Sequence, residues 1–184
     1  MSAFLHADAS AREALSRAAA DLERTLPGAA PALRSLALAQ LARCYRGLAE
    51  WPSAERCFEQ ALAWAQASGS VDLQVDVLCE LAQTAAGLSD LLQLADPHHP
   101  EAARAARERA RGHAFEATAL AVRVADAAWE ASVLLRISEV LDRCGDHEDA
   151  AKLQTRALRM KSGRLAGGAP DPTLLPSLER LADS

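Results

Sequence analysis

Aromatic residues are scarce in this 184-residue sequence: three Phe, three Trp and one Tyr, 4% of the chain. Nine Gly and eight Pro are few for that length, which argues against a β-sandwich with its many tight turns. Cysteine is limited to Cys44, Cys57, Cys79 and Cys144, each set singly in a helical pattern, with no C-x-x-C pair and no short-spaced framework. That distribution points to reduced, buried thiols rather than to a disulfide scaffold. No apolar run approaches the roughly 18 residues of a membrane span, because Arg, Glu or Asp interrupts every Ala/Leu stretch. The opening Met-Ser-Ala-Phe-Leu-His-Ala-Asp has neither the basic start nor the apolar segment of a secretory signal. A net charge of −5 and a pI near 5.5 supply no overall field for a phosphate backbone, which disfavours general nucleic-acid binding. The expectation is a soluble, cytoplasmic protein.

What is present is alanine, leucine and helical periodicity. With 50% hydrophobic and 24% charged residues the chain fits one compact domain or one uninterrupted array. Ala14, Leu15, Ala18, Leu22 and Leu26 recur at helical steps over residues 11–26. Ser10 and Glu13 there have capping-box spacing, and Pro27-Gly28 is a stop. Further helices are predicted over about 32–48, from Pro52 or Ser53 to about Ala67, from Val71 toward Ala95, and from Pro100 or Glu101 to about Ala128. Two more follow over about 129–143 and 147–161, the first ended by Gly145-Asp146. Residues 162–172 read as a loose connector and 173–182 as a short last helix. The expected organisation is therefore a helical repeat domain over 1–161, with hairpins at about 32–67, 71–128 and 129–161, followed by a tail over 162–184.

Self-similarity decides the fold class. Leu41, the small Ala42 and Tyr45, followed by Trp51, Ala54, Phe58, Ala61 and Leu62, strongly resemble a tetratricopeptide repeat. Ile137, Ser138, Gly145, Ala150, Ala157 and Leu158 fit a second copy, in which Leu141 replaces the tyrosine and Gln154 the aromatic. Leu78, Leu81 and Ala82 with Phe115, Ala119 and Leu120 mark a degenerate middle copy, lengthened between Gly87 and Arg111. The resemblance implies an all-α, right-handed α-solenoid of about three helix hairpins, with N- and C-terminal capping helices. One hairpin cannot bury its apolar face alone, so neighbours stack into a one-dimensional core.

Catalytic and cofactor signatures are missing: no G-x-G-x-x-G, no phosphate loop, no G-x-S-x-G and no H-E-x-x-H occurs. Asp96-Pro-His-His99 reads as a polar loop, and Cys144 with His147 lacks the further ligands of a zinc site. No cofactor, metal or enzymatic activity is expected. The resemblance implies instead a partner-binding inner wall, made by the first helix of each hairpin. It would present Leu36, Gln40, Arg43 and Arg46, then Asp76, Cys79, Glu80 and Gln83, then Arg136, Glu139, Asp142 and Arg143. Arginines there suit the carboxylates of a peptide or partner loop. The Lys and Asn of the family's chaperone-tail clamp are replaced by Ala39 and Arg43, so chaperone C-terminus binding is not expected. A second candidate surface, for an acidic partner or for self-association into a homo-oligomer, is the stripe Arg104, Arg107, Arg109 and Arg111. The leading expectation is a scaffold, adaptor or small chaperone; the alternative is a sensor module for a small ligand or signal peptide.

Overall fold

The computed structural model describes residues 2–98 and 100–166. Among these residues there are seven helices and no strand: α1 Ser2–Thr25, α2 Pro31–Gly47, α3 Trp51–Ser68, α4 Val71–Ala95, α5 Glu101–Ala121, α6 Ala127–Arg143 and α7 His147–Ala166. Helices α2–α3, α4–α5 and α6–α7 pair as hairpins through short turns, and the hairpins pack on one another in chain order. α1 lies against α2, where Arg12 Nη2 donates to the carbonyl of Leu48.

Local chemistry sets the ends of these helices. α2 and α3 each carry Pro in their first turn, where a missing N–H leaves nothing unsatisfied. Ser70 caps α4 by accepting from the Leu73 N–H, and the Asp126 carboxylate caps α6 by accepting from the N–H groups of Ala128 and Trp129. The turns after α2 and α6 share one hydrogen-bonding scheme. Leu48, Ala49 and Glu50 donate to the carbonyls of Cys44, Arg46 and Tyr45; Cys144, Gly145 and Asp146 donate to those of Val140, Asp142 and Leu141. The left-handed position is glycine in one turn (Gly145, φ 88°) and alanine in the other (Ala49, φ 62°).

The core falls into two contiguous clusters. Phe58 is fully buried among Leu38, Leu41, Ala42, Val77 and Leu81, with Ala19 of α1 closing one side. The second cluster runs from Val75 and Leu78 through Leu134, Ile137 and Leu141 to Leu153 and Ala157. Its middle is almost purely alanine. Ala103, Ala106, Ala110, Ala114, Ala117 and Ala121 form the buried stripe of α5, packed on α4, whose buried residues include Ala82, Ala85, Ala86 and Ser89. Ser89 Oγ donates to the Ala103 carbonyl at 2.9 Å, a backbone approach that small residues permit.

Three boundaries differ from the sequence expectation. α1 starts at Ser2 rather than near residue 11, so Ser10 lies inside the helix and caps nothing; nothing in Ala-Phe-Leu-His-Ala stops a helix from forming earlier. α5 ends at Ala121 rather than about Ala128, because Asp126 captures the first N–H groups of α6, which begins at Ala127. α7 passes Lys161 and continues to Ala166, through residues read as connector. The short helix expected over 173–182 lies outside the described residues.

Candidate functional site

α2, α4 and α6 lie side by side, the first helix of each hairpin, and the residues expected on the inner wall meet along them. Their arginines are already engaged. Arg43 donates through Nε and Nη2 to Glu80 Oε1 at 3.0 and 2.9 Å, and Arg46 Nη2 is ion-paired with Glu80 Oε2 at 2.9 Å. From the other side, Arg136 Nη1 donates to Asp76 Oδ1 at 2.9 Å, with its Nη2 3.9 Å from Glu80 Oε1. Arg46 Nη1 also donates to Thr84 Oγ1 at 3.1 Å, and Arg143 Nη2 donates to Asp90 Oδ2 at 2.6 Å. Each cation is held by a carboxylate of α4, so the wall is laced across its middle helix.

Burial follows from that lacing. Glu80 and Cys79, expected on the exposed inner face, are buried, because the flanking helices and their arginines close over α4. Removal from water pushes the Cys79 thiol up to about 12, against the opposing pull of Arg136. Cys79 is therefore a packed thiol rather than a nucleophile. Gln40 and Glu139 remain exposed and Gln83 half-exposed.

A cleft of about 360 Å³ opens on this wall, lined by Arg46, Trp51, Gln83, Gly87, Glu139, Val140 and Arg143. Its floor depends on a glycine: a Cβ at Gly87 would sit 3.0 Å from the six-membered ring of Trp51. The sequence showed the charged lining but gave Trp51 only as one of the residues that resemble the repeat, and Gly87 only as the start of a lengthened stretch. The available signal was an isolated glycine inside a helical pattern, which marks a close approach. Thr84 and Asp90, the partners of Arg46 and Arg143, were not found from the sequence. A smaller hole of about 60 Å³ lies between α2 and α4, lined by Leu36, Ala39, Leu73 and Val77 together with the polar Ser35, Arg43, Asp76 and Glu80. Its size suits ordered water rather than a ligand.

The second surface is dispersed rather than a continuous basic stripe. Arg107 Nη2 donates to Gln93 Oε1 at 2.8 Å, Arg109 Nε donates to Glu55 Oε1 at 2.8 Å, and Arg111 lies 3.0 Å from Glu108 and 2.7 Å from Asp146. These pairs tie α5 to α4, to α3 and to the α6–α7 turn. Arg104 is exposed and makes no ion pair among the described residues. Trp64 and Trp129 are half-buried against the core, and the Arg34 guanidinium lies 4.6 Å from the Trp64 ring centroid. No group of three metal-ligating side chains converges among the described residues, and no described helix is long and apolar enough to cross a membrane.

Comparison with known proteins places the repeat. No protein of curated function matches the sequence. The crystal structure of BtubC (BKLC) from P. vanneervenii is similar over 95% of this chain and 79% of that one, at 20% identity and a TM-score of 0.32. The family model of the tetratricopeptide repeat matches residues 37–70, the segment that runs from within α2 through α3. With Leu41, Ala42, Ala54, Phe58 and Ala61 buried there as that repeat requires, this segment of the chain is similar to a tetratricopeptide repeat.

Proposed function

We propose that the protein is a cytoplasmic, non-catalytic interaction module that holds a peptide or partner segment against the wall of α2, α4 and α6. Tetratricopeptide repeats generally mediate protein–protein interaction, and three stacked hairpins are the unit such a module needs. In this reading the hairpins make a right-handed solenoid with that wall on its concave side. The observation that carries the proposal is the cleft between Trp51, Gly87 and Glu139, where side chains from three hairpins meet around about 360 Å³ of open space. Gln40, Gln83 and Glu139 border the wall and engage no side chain of the described residues, so they are available to a partner.

The test is capture of a cellular partner by wild type, by Gln83→Arg/Glu139→Arg, and by an outer-face control, Arg104→Glu. A protein bound by wild type and the control but lost by the wall variant supports the reading. Equal capture by all three, or loss only with the control, overturns it. Reversing Arg43, Arg46 and Arg136 is a poorer probe, because it would place like charges around the buried Glu80.

A further inference from the structure

Two buried oxygen atoms between α2 and α4 have no hydrogen bond among the described residues. Ser35 on α2 is fully buried, and its Oγ finds no partner. Glu80 Oε2 on α4 stands 2.9 Å from Arg46 Nη2 without the alignment of a hydrogen bond. Both residues line the hole of about 60 Å³ between the two helices. Folded proteins leave few such groups unsatisfied, so the hole is built around a polar occupant.

Charge and size narrow that occupant. Arg43 and Arg136 are engaged by Glu80 and Asp76, so a charged group entering the hole meets no counter-ion that is not already taken. The rest of the lining is apolar: Leu36, Ala39, Leu73 and Val77. A volume of about 60 Å³ holds more than one water-sized group but falls far short of the roughly 300 Å³ at which ligand pockets begin. What fits is the tip of one neutral side chain, a hydroxyl with a methyl group beside it. The mouth is open to a partner, since the Arg43 and Asp76 side chains reach solvent. Leu36, and Leu33 one turn before it, stand 48% and 60% exposed at its edge.

Building on the proposed interaction role, we infer that this hole is a threonine subsite of the wall. Water fills it in the free protein. In the complex the hydroxyl of a threonine in the partner segment takes the water's place, donating to Glu80 and accepting from Ser35, while its methyl group packs on Leu36 and Val77. An aliphatic neighbour in the same segment covers Leu33 and Leu36. A hydroxyl reproduces the hydrogen bonds of the water it displaces, which an aliphatic tip of the same shape does not, so valine is the isostere the hole rejects. The partner is thus a neutral segment that carries threonine beside an aliphatic residue.

The probe is a displayed library of random seven-residue peptides selected on the full chain. Winners are resynthesised, together with versions that carry valine or serine in place of threonine, and measured by fluorescence anisotropy. Enrichment of threonine next to Leu, Ile or Val is expected. Valine should cost about tenfold on wild type, where it strands two buried oxygens, and about threefold on Ser35→Ala, which has already lost one of them. Serine, lacking the methyl group, should cost about fourfold on both proteins. Leu36→Arg, a change at the exposed mouth, should abolish the threonine preference and tests the site without altering a buried residue; a circular dichroism melt matching wild type shows that each variant folds. An equal valine cost on wild type and Ser35→Ala overturns this inference, as do winners without threonine or serine that lose affinity in Gln83→Arg/Glu139→Arg, and both leave the wall as the working surface. Winners indifferent to every wall variant, or no enrichment at all, overturn this inference and the interaction role together.

Discussion

The carboxylate of Glu80 on α4 accepts two hydrogen bonds from the guanidinium of Arg43 on α2, at 2.9 and 3.0 Å, through a single oxygen, Oε1. The acceptor is buried whereas the donor retains access to solvent, so the two partners are unequal. Removing Glu80 leaves Arg43 and Arg46 able to turn outward and opens a polar gap in the wall. Removing Arg43 leaves a buried carboxylate still held by Arg46. Glu80→Ala should lower the unfolding free energy by about 2 kcal/mol and Arg43→Ala by about 1 kcal/mol or less. Urea unfolding measures both, and an equal loss would show that burial of the acceptor does not set the difference.

Ala49 takes a left-handed conformation in the turn whose counterpart after α6 uses glycine. Ala49→Gly removes the contact between Cβ and carbonyl that disfavours this conformation, and should stabilise by about 0.5–1 kcal/mol. Gly145→Ala should destabilise by a similar amount. Thermal melts of the two variants should move in opposite directions.

Glycines within helices should respond to their neighbours. Nothing lies within 4 Å of a Cβ added at Gly112 in α5, so Gly112→Ala should gain about 0.5–1 kcal/mol from helix propensity. At Gly87 the added methyl group meets Trp51 at 3.0 Å, which should cancel that gain and shift the tryptophan emission. A stabilised Gly87→Ala with unchanged fluorescence would contradict the packing of the cleft floor.

The alanine stripe of α5 admits no larger side chain. Ala110 and Ala114 are fully buried against the second core cluster, and Ala114→Leu should cost about 1–3 kcal/mol through forced displacement of α4. Exposed Ala105→Leu on the same helix should be nearly neutral.

Burial lowers the pKa of His113 below its ordinary 6.5, against the opposing influence of Glu116, Glu55 and Glu59. The unfolded chain therefore takes up the proton before the folded one does, and stability rises with pH through that window. The contribution of His113 should be complete above about pH 6.5 and be lost as the pH falls through the lowered folded value. Urea midpoints measured from pH 7.5 to 5 should decline less in His113→Gln than in wild type.

Helix periodicity in the sequence was enough to find α2, α3, α4 and α6 to within two residues, because Leu and Ala recur at steps that only a helix places on one face. It could not find the end of α5: Ala-Val-Arg-Val-Ala-Asp-Ala-Ala-Trp keeps the apolar rhythm through the turn, and only Asp126 as a cap breaks it. The wall residues were legible through the resemblance to the repeat, which assigns them to the first helix of each hairpin. Their pairing was not, since Arg43 and Arg136 find Glu80 and Asp76 from 37 and 60 residues away. Cys79 shows the angular limit of the method: a neighbour of Glu80 on the same helix, it belongs to the core cluster rather than to the open wall.

In a linear repeat array each unit ordinarily touches only the next. Here the first hairpin and the third approach the same oxygen of Glu80, Arg43 at 2.9 Å and Arg136 at 3.9 Å. The two ends of the stack are thereby rivals for one acceptor, and loosening either lets the other draw closer. Damage at one terminus is then partly absorbed at the opposite one, and the buried carboxylate keeps a cationic partner when either end is lost.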